Sequence, residues 1–263
     1  MLESMFVVAI LFEVVFPIVL AFWAVRKLGS SWFIVAMGIV AFVLSQVIHI
    51  PLLLGLRPLL ETAGFTSLPP AVSLVLTGLF YGLLAGICEE PMRWLAYKVI
   101  KEKGQRPKSS VVLGIGHAGV ESVILVGVSV AATFFTMLSI RSSGVAMQGI
   151  SLEMMQQYFA LDWYLPLAGA VERLSAIGIH IGMSVVVWKS IRHRSWKWFL
   201  AAVLLHTAYD AIAVIMSMSG VGMWVIETVF VVFAGLSIFW TIRTLKSEVP
   251  LQIEAPVLEV AEA

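Results

Sequence analysis

Long apolar runs alternate with short polar breaks along this chain. The first run covers roughly residues 5–25 and closes at Arg26-Lys27-Leu28-Gly29. The second covers roughly 32–56, with Ser30-Ser31 as a candidate cap and Arg57-Pro58 as its stop. After Gly64 and Pro69-Pro70 the third runs roughly 71–99 and ends in a basic stretch from Lys98 to Lys108. Ser109-Ser110 can cap the fourth, roughly 110–139, and Pro166 suits the start of the fifth, roughly 165–188. The sixth, roughly 197–218, and the seventh, roughly 221–243, meet at a turn around Gly220. A helix rises about 1.5 Å per residue and the hydrocarbon core of a bilayer is about 30 Å thick, so about 20 apolar residues cross it. The expected fold class is all-α, a polytopic transmembrane bundle of seven spans forming one domain over residues 1–246.

Two segments break the pattern. Between Arg141 and Tyr164 the chain is polar and mixed, but Leu152, Met155 and Phe159 share one helical face, which predicts a short interfacial helix on the outer side. From Ser247 onward the chain is acidic, carries two prolines and reads as a disordered tail.

Charge sets the orientation. With the N-terminus outside, the cytoplasmic segments hold 13 of the 17 lysines and arginines, and the outer loops hold only Arg57 and Arg141. The opposite topology inverts this bias, so the expectation is N-out and C-in. Composition agrees, with 60% hydrophobic and 13% charged residues against about 25% charged in soluble proteins. A net charge of +1 gives no basis for nucleic-acid binding, and the single Cys88 excludes an intrachain disulfide or a cysteine-rich metal site. The N-terminus lacks a positive leader and a cleavage site, so its apolar run reads as a retained helix.

The informative positions are ionisable groups inside the apolar runs, where each costs several kcal/mol. They are Glu89, Glu90 and Arg93 in the third run, His117 and Glu121 in the fourth, Glu172, Arg173 and His180 in the fifth, and His206 and Asp210 in the sixth. Counted along alternating helices, all four sets fall at the midplane or slightly cytoplasmic of it. Glu89/Arg93, His117/Glu121 and His206/Asp210 are each four apart, which places them on one helix face, and Arg173 and His180 are two turns apart. Gly178 and Gly182 give the fifth helix a packing surface opposite that polar face, and Gly114, Gly116 and Gly119 thin the fourth helix around His117. Arg93 reads as a counter-ion for Glu89 or Glu90, and Arg173 as one for Glu172. His49 and His193 read as a packing and a solvated histidine, and Glu13 and Glu227 are lone carboxylates without an assigned partner.

Imidazole and carboxylate suit a divalent metal such as zinc. His117, His180 and His206 could make an open site, with Glu121 and Asp210 as further ligands or as groups behind them. A metal lowers the pKa of its water, and Glu89 or Glu90 could take the proton. The chemistry that results is hydrolysis within the membrane, most naturally of a peptide bond.

These residues also carry a resemblance. Glu89-Glu90-x-x-Arg93, a histidine in the next span and His206-x-x-x-Asp210 resemble the CPBP superfamily of intramembrane proteases. Relative to that superfamily the arginine stands one residue closer to the glutamate pair, and Asp210 stands where asparagine is more common. The segment Gly114-x-Gly116-His117-x-Gly119-x-Glu121 with Glu172-Arg173 and His180 is similar to the YhfC family of intramembrane metalloproteases. The match covers roughly residues 80–215. It implies that Glu89 and Glu90 activate water, that His117, His206 and Asp210 complete the site, and that the protein lies in a bacterial plasma membrane. Its partners would be membrane lipid and a membrane-embedded or lipid-anchored peptide or protein substrate.

The residues alone leave other readings open. Buried Glu, His and Asp also serve proton or divalent-metal transport, although no inverted repeat is visible. A non-catalytic scaffold that binds a partner helix, and bis-histidine haem ligation, would use the same groups.

Overall fold

A computed structural model of the protein describes residues 1–64, 67–101, 106–143, 153, 156–157 and 160–248. Among them there is no strand, and seven helices are long and apolar enough to cross a membrane. These are α1 (Leu2–Leu28), α2 (Trp32–Leu60), α3 (Pro70–Ile100), α4 (Pro107–Ser142), α5 (Leu165–Arg192), α6 (Trp196–Met218) and α7 (Met223–Ser247). The expected interfacial helix falls largely, and the acidic tail almost wholly, outside the described residues.

Helix boundaries follow local chemistry with two departures from expectation. α2 continues through Pro51 and Pro58. A proline removes one backbone donor, and spans tolerate that because neighbouring groups re-satisfy the freed carbonyl. α4 begins at Pro107, not at the serines, because proline's fixed φ and missing N–H suit the first turn. Ser110 Oγ then donates back to the Pro107 carbonyl at 2.5 Å.

α5 is the axis of the bundle. Its most apolar stretch is 78% buried, whereas no other span exceeds 33%. Gly178 and Gly182 seat α7 against it, at Ala234 and Ser237, and Ser237 Oγ donates to the Gly178 carbonyl at 3.0 Å. Each glycine of α4 admits a different neighbour: Gly114 faces α5 at Ile181, Gly116 faces α2 at Val35, and Gly119 faces Pro17 of α1. On the far side α3 and α6 close at Gly82 and Gly86, which lie against Thr207. A Cβ at Gly82, Gly86, Gly114 or Gly116 would come within 3 Å of the neighbouring helix's backbone. Backbone approach this close compensates for the missing hydrophobic force between helices in lipid.

Two π-helical turns, Leu11–Val15 in α1 and Ser122–Gly127 in α4, pack against each other. Ser122 Oγ donates to the Glu13 carbonyl at 2.9 Å across this contact. Glu13 is fully buried there, and neither carboxyl oxygen has a hydrogen-bond partner.

At the basic end, Glu248 ties the end of α7 to α5. It accepts from His193 Nε2 at 2.9 Å and faces Lys189 Nζ at 3.4 Å, and Lys189 lies over the Trp198 ring at 4.4 Å. Partial burial raises the Glu248 carboxyl, but the His193 hydrogen bond and the charges of His193 and Lys189 outweigh it and hold it below the ordinary carboxylate range. A depressed carboxyl contributes stability above its unfolded pKa and loses it as pH falls through the folded one. Amide exchange over Arg243–Ser247 is therefore expected to be faster in Glu248→Gln than in the parent at neutral pH, with the two converging in acid. A difference that persists unchanged below the Glu248 pKa would contradict the latch.

Candidate metal and hydrolytic centre

Four helices bring their ionisable groups to one place. α3 supplies Glu89, Glu90 and Arg93, α4 supplies His117 and Glu121, α5 supplies Arg173 and His180, and α6 supplies His206 and Asp210. His117, His180 and His206 form a row with ring centres 5.3 Å apart at each step. The depth agreement expected from the sequence is thus a spatial cluster.

Arg93 organises one half of it. The guanidinium is fully buried. Its Nη1 donates to both oxygens of Glu90, at 2.7 and 3.0 Å, and its Nη2 donates to His180 Nδ1 at 3.0 Å. Glu89 Oε2 stands 4.0 Å from Nη2, so the counter-ion of Arg93 is chiefly Glu90. Glu90 also accepts from His206 Nδ1 at 2.6 Å. That bond fixes His206 with Nε2 turned toward Asp210 Oδ2 at 3.4 Å and Glu89 Oε2 at 3.8 Å.

Arg173 organises the other half. It donates to Glu121 Oε1 at 3.0 Å and also binds Glu172. The second oxygen of Glu121 lies 2.9 Å from His180 Nε2, the nitrogen left to carry the proton when Nδ1 accepts from Arg93. The seven-residue spacing of Arg173 and His180 thus places them on the two oxygens of one carboxylate.

Glu89 differs from its neighbours, because no guanidinium claims it at hydrogen-bond distance. Its Oε1 accepts from Gln46 Nε2 at 3.3 Å and its Oε2 meets His117 Nε2 at 3.0 Å. Phe42 packs edge-on against His117 at 5.3 Å.

Glu89, His117, Glu121 and His180 each offer one ligand atom, and all four atoms lie within 4.8 Å of one another. Three observations fit a divalent cation here. The donors are two imidazoles and two carboxylates, which suit zinc and similar ions. His117 Nδ1 is buried without a hydrogen-bond partner. The charges also fall short of balance. Glu89, Glu90, Glu121 and Glu172 oppose Arg93 and Arg173, and Asp210 at the rim adds a further negative charge, so carboxylates outnumber guanidiniums and a dication would reduce the excess. Among the sequence-derived ligands, His117, Glu121 and His180 lie in this set, whereas His206 and Asp210 stand beside it because Glu90 holds the His206 ring. Glu89 is the fourth group of the converging set.

Gln46, Tyr97 and Ser184 escaped the sequence reading. Tyr97 Oη hydrogen-bonds Ser184 at 2.7 Å, toward the basic end from the cluster. The amide of Gln46 inside an apolar run was the available signal; Tyr97 and Ser184 gave none. His49 stays outside the site, and His193 belongs to the Glu248 latch.

A cavity of about 800 Å³ leads from the cluster to the end of the bundle away from the basic loops. Glu121, Arg173, His180 and Asp210 line its inner part, and the start of α5, the end of α6 and the start of α7 line the rest.

Comparison with known proteins agrees with this picture. A family model described as "YhfC intramembrane metalloprotease" matches residues 12–231. A Bacillus subtilis (strain 168) protein described as "Uncharacterized membrane protein YhfC" is 25% identical over 237 residues, covering 86% of this chain and 90% of that relative. No solved structure matches. The chain is an integral membrane protein.

Proposed function

Because the chain belongs to the YhfC intramembrane metalloprotease family, we propose that it hydrolyses a peptide bond of a membrane-embedded substrate, with Glu89 as the general base. The observation that carries this reading is the unequal commitment of the carboxylates. Glu90 is bound twice by Arg93 and once by His206, and Glu121 is bound by Arg173. Glu89 has only the Gln46 amide and His117 as close partners, so it is the carboxylate with a free capacity for a proton.

His117, His180 and Glu121 would hold a divalent ion, zinc by its donor preference, with Glu89 beside it. Such an ion supplies Lewis acidity that polarises a carbonyl and acidifies water. Glu89 accepts the proton of the attacking water and returns it to the leaving amine, as a base of this kind must. Glu90 acts on His206, holding its Nδ1 so that Nε2 faces the reaction space, and Asp210 borders that same nitrogen. Arg93 binds Glu90 in a buried place and orients His180 through Nδ1. By the bias of basic residues, the cavity opens toward the outer leaflet of a bacterial plasma membrane.

Ion transport would need a second opening toward the basic end. Tyr97 and Trp188, both almost wholly buried, fill the bundle at that level and favour the enzyme.

The test is comparison of membranes that contain the parent or Glu89→Gln protein, with new peptide termini read by mass spectrometry. The parent is expected to produce termini within predicted spans that the variant lacks, and cleavage of a confirmed substrate should fall by at least about a hundredfold. Parental cleavage by Glu89→Gln would remove the proposal.

A further inference from the structure

Glu227, one turn into α7, is left over by the proposed chemistry. It is only 7% exposed, it lines the 800 Å³ cavity, and its Oε2 has no hydrogen-bond partner. The other charged groups of the cavity are committed elsewhere. Glu121 and Glu172 share Arg173, and Asp210 faces His206. One guanidinium and four carboxylates line the cavity, and Glu227 is the carboxylate among them with no ion pair at contact distance among the described residues. The surrounding wall is apolar at Val214, Ile226 and Phe230. α6 and α7 meet through the Tyr209–Phe233 ring pair, at 5.3 Å, beside the cavity, and through Trp198–Trp240 at the basic end.

We propose that this cavity is the substrate chamber and that Glu227 is a specificity residue within it, binding a lysine or arginine side chain that the substrate span carries near its end away from the basic loops. The inference rests on the peptidase reading and names its substrate class. Glu227 lies about one turn below the start of α7, whereas Asp210 lies about two turns below the end of α6. An extended peptide rises about 3.3 Å per residue, so the cation sits a few residues from the cleaved bond, toward the mouth. Its stem packs on the apolar wall while its charge meets the carboxylate. A charge-assisted contact to a buried carboxylate discriminates sharply, because the isosteric apolar residue leaves Glu227 unpaired.

The probe is a synthetic polyleucine span, reconstituted in nanodiscs with the full-length protein. It carries one lysine near the mouth-side end, or one near the opposite end, or norleucine at either place. Binding and cleavage are read separately. The mouth-side lysine peptide is expected to bind about tenfold more tightly than its norleucine counterpart. Glu227→Gln should abolish that preference, and Glu89→Gln should retain it. Equal binding of lysine and norleucine peptides, an equal preference for the opposite lysine, or a preference that survives Glu227→Gln would overturn the inference. Lysine-selective binding without cleavage by the parent would keep the chamber and remove the peptidase.

Discussion

Arg93→Met is expected to destabilise the protein by about 3–5 kcal/mol, more than substitution of any single ligand at the cluster. Removing one partner of a buried ion pair leaves the other charge uncompensated. Arg93 is fully buried and makes three hydrogen bonds, two to Glu90 and one to His180. Glu90 in turn holds His206, so a single guanidinium connects α3, α5 and α6. The prediction carries its own control. Glu90→Gln with Arg93→Met removes both charges and leaves an amide oxygen for His206 Nδ1, so most of the lost stability should return. Thermal unfolding in detergent, or unfolding by a denaturing detergent titration, measures both variants. If the double variant is as unstable as the single one, the cost of Arg93→Met is lost packing and not an unpaired carboxylate.

Much of this arrangement was legible in the sequence, for a physical reason. A bilayer forbids unpaired charge, so every ionisable residue within an apolar run signals a partner, and equal depth on alternating helices signals a common one. That logic found α3 to α6 as the contributors and all nine residues of the cluster. Pairing within the cluster was beyond it. Helical spacing made Glu89 as good a partner for Arg93 as Glu90, and only the rotamers place Glu90 on the guanidinium at 2.7 Å and leave Glu89 free. The same limit applies to His206: spacing sets it beside Asp210, while the bond to Glu90, from another helix, decides which nitrogen faces the site. Gln46 was passed over because an amide carries no charge to stand out. The π turns at Glu13 and Ser122 left no trace in composition, since a π turn is an extra residue in a helical run and not a residue type.

His117→Ala and His206→Ala separate the ligand set from its surroundings. His117 belongs to the four residues whose donor atoms converge within 4.8 Å, and His206 does not. Elemental analysis of the purified parent is expected to give about one zinc or similar ion per chain. His117→Ala should lose that ion and all activity. His206→Ala should keep the ion and lose most activity, because Glu90, Arg93, Glu121 and His180 retain their mutual contacts without it. An excess of buried carboxylate explains why the ion's loss should also be felt in the fold. Without a dication, three buried carboxylates face two guanidiniums, and the excess charge must be carried inside the bilayer or neutralised by a proton. Added zinc should therefore raise the unfolding temperature of the parent and of His206→Ala but not of His117→Ala. Retention of metal by His117→Ala together with its loss from His206→Ala would move the centre toward Asp210 and away from Glu121. A parent that neither contains nor takes up a metal would leave Glu89 as the base of a metal-free hydrolysis, with His117 reassigned from ligand to the donor that orients it.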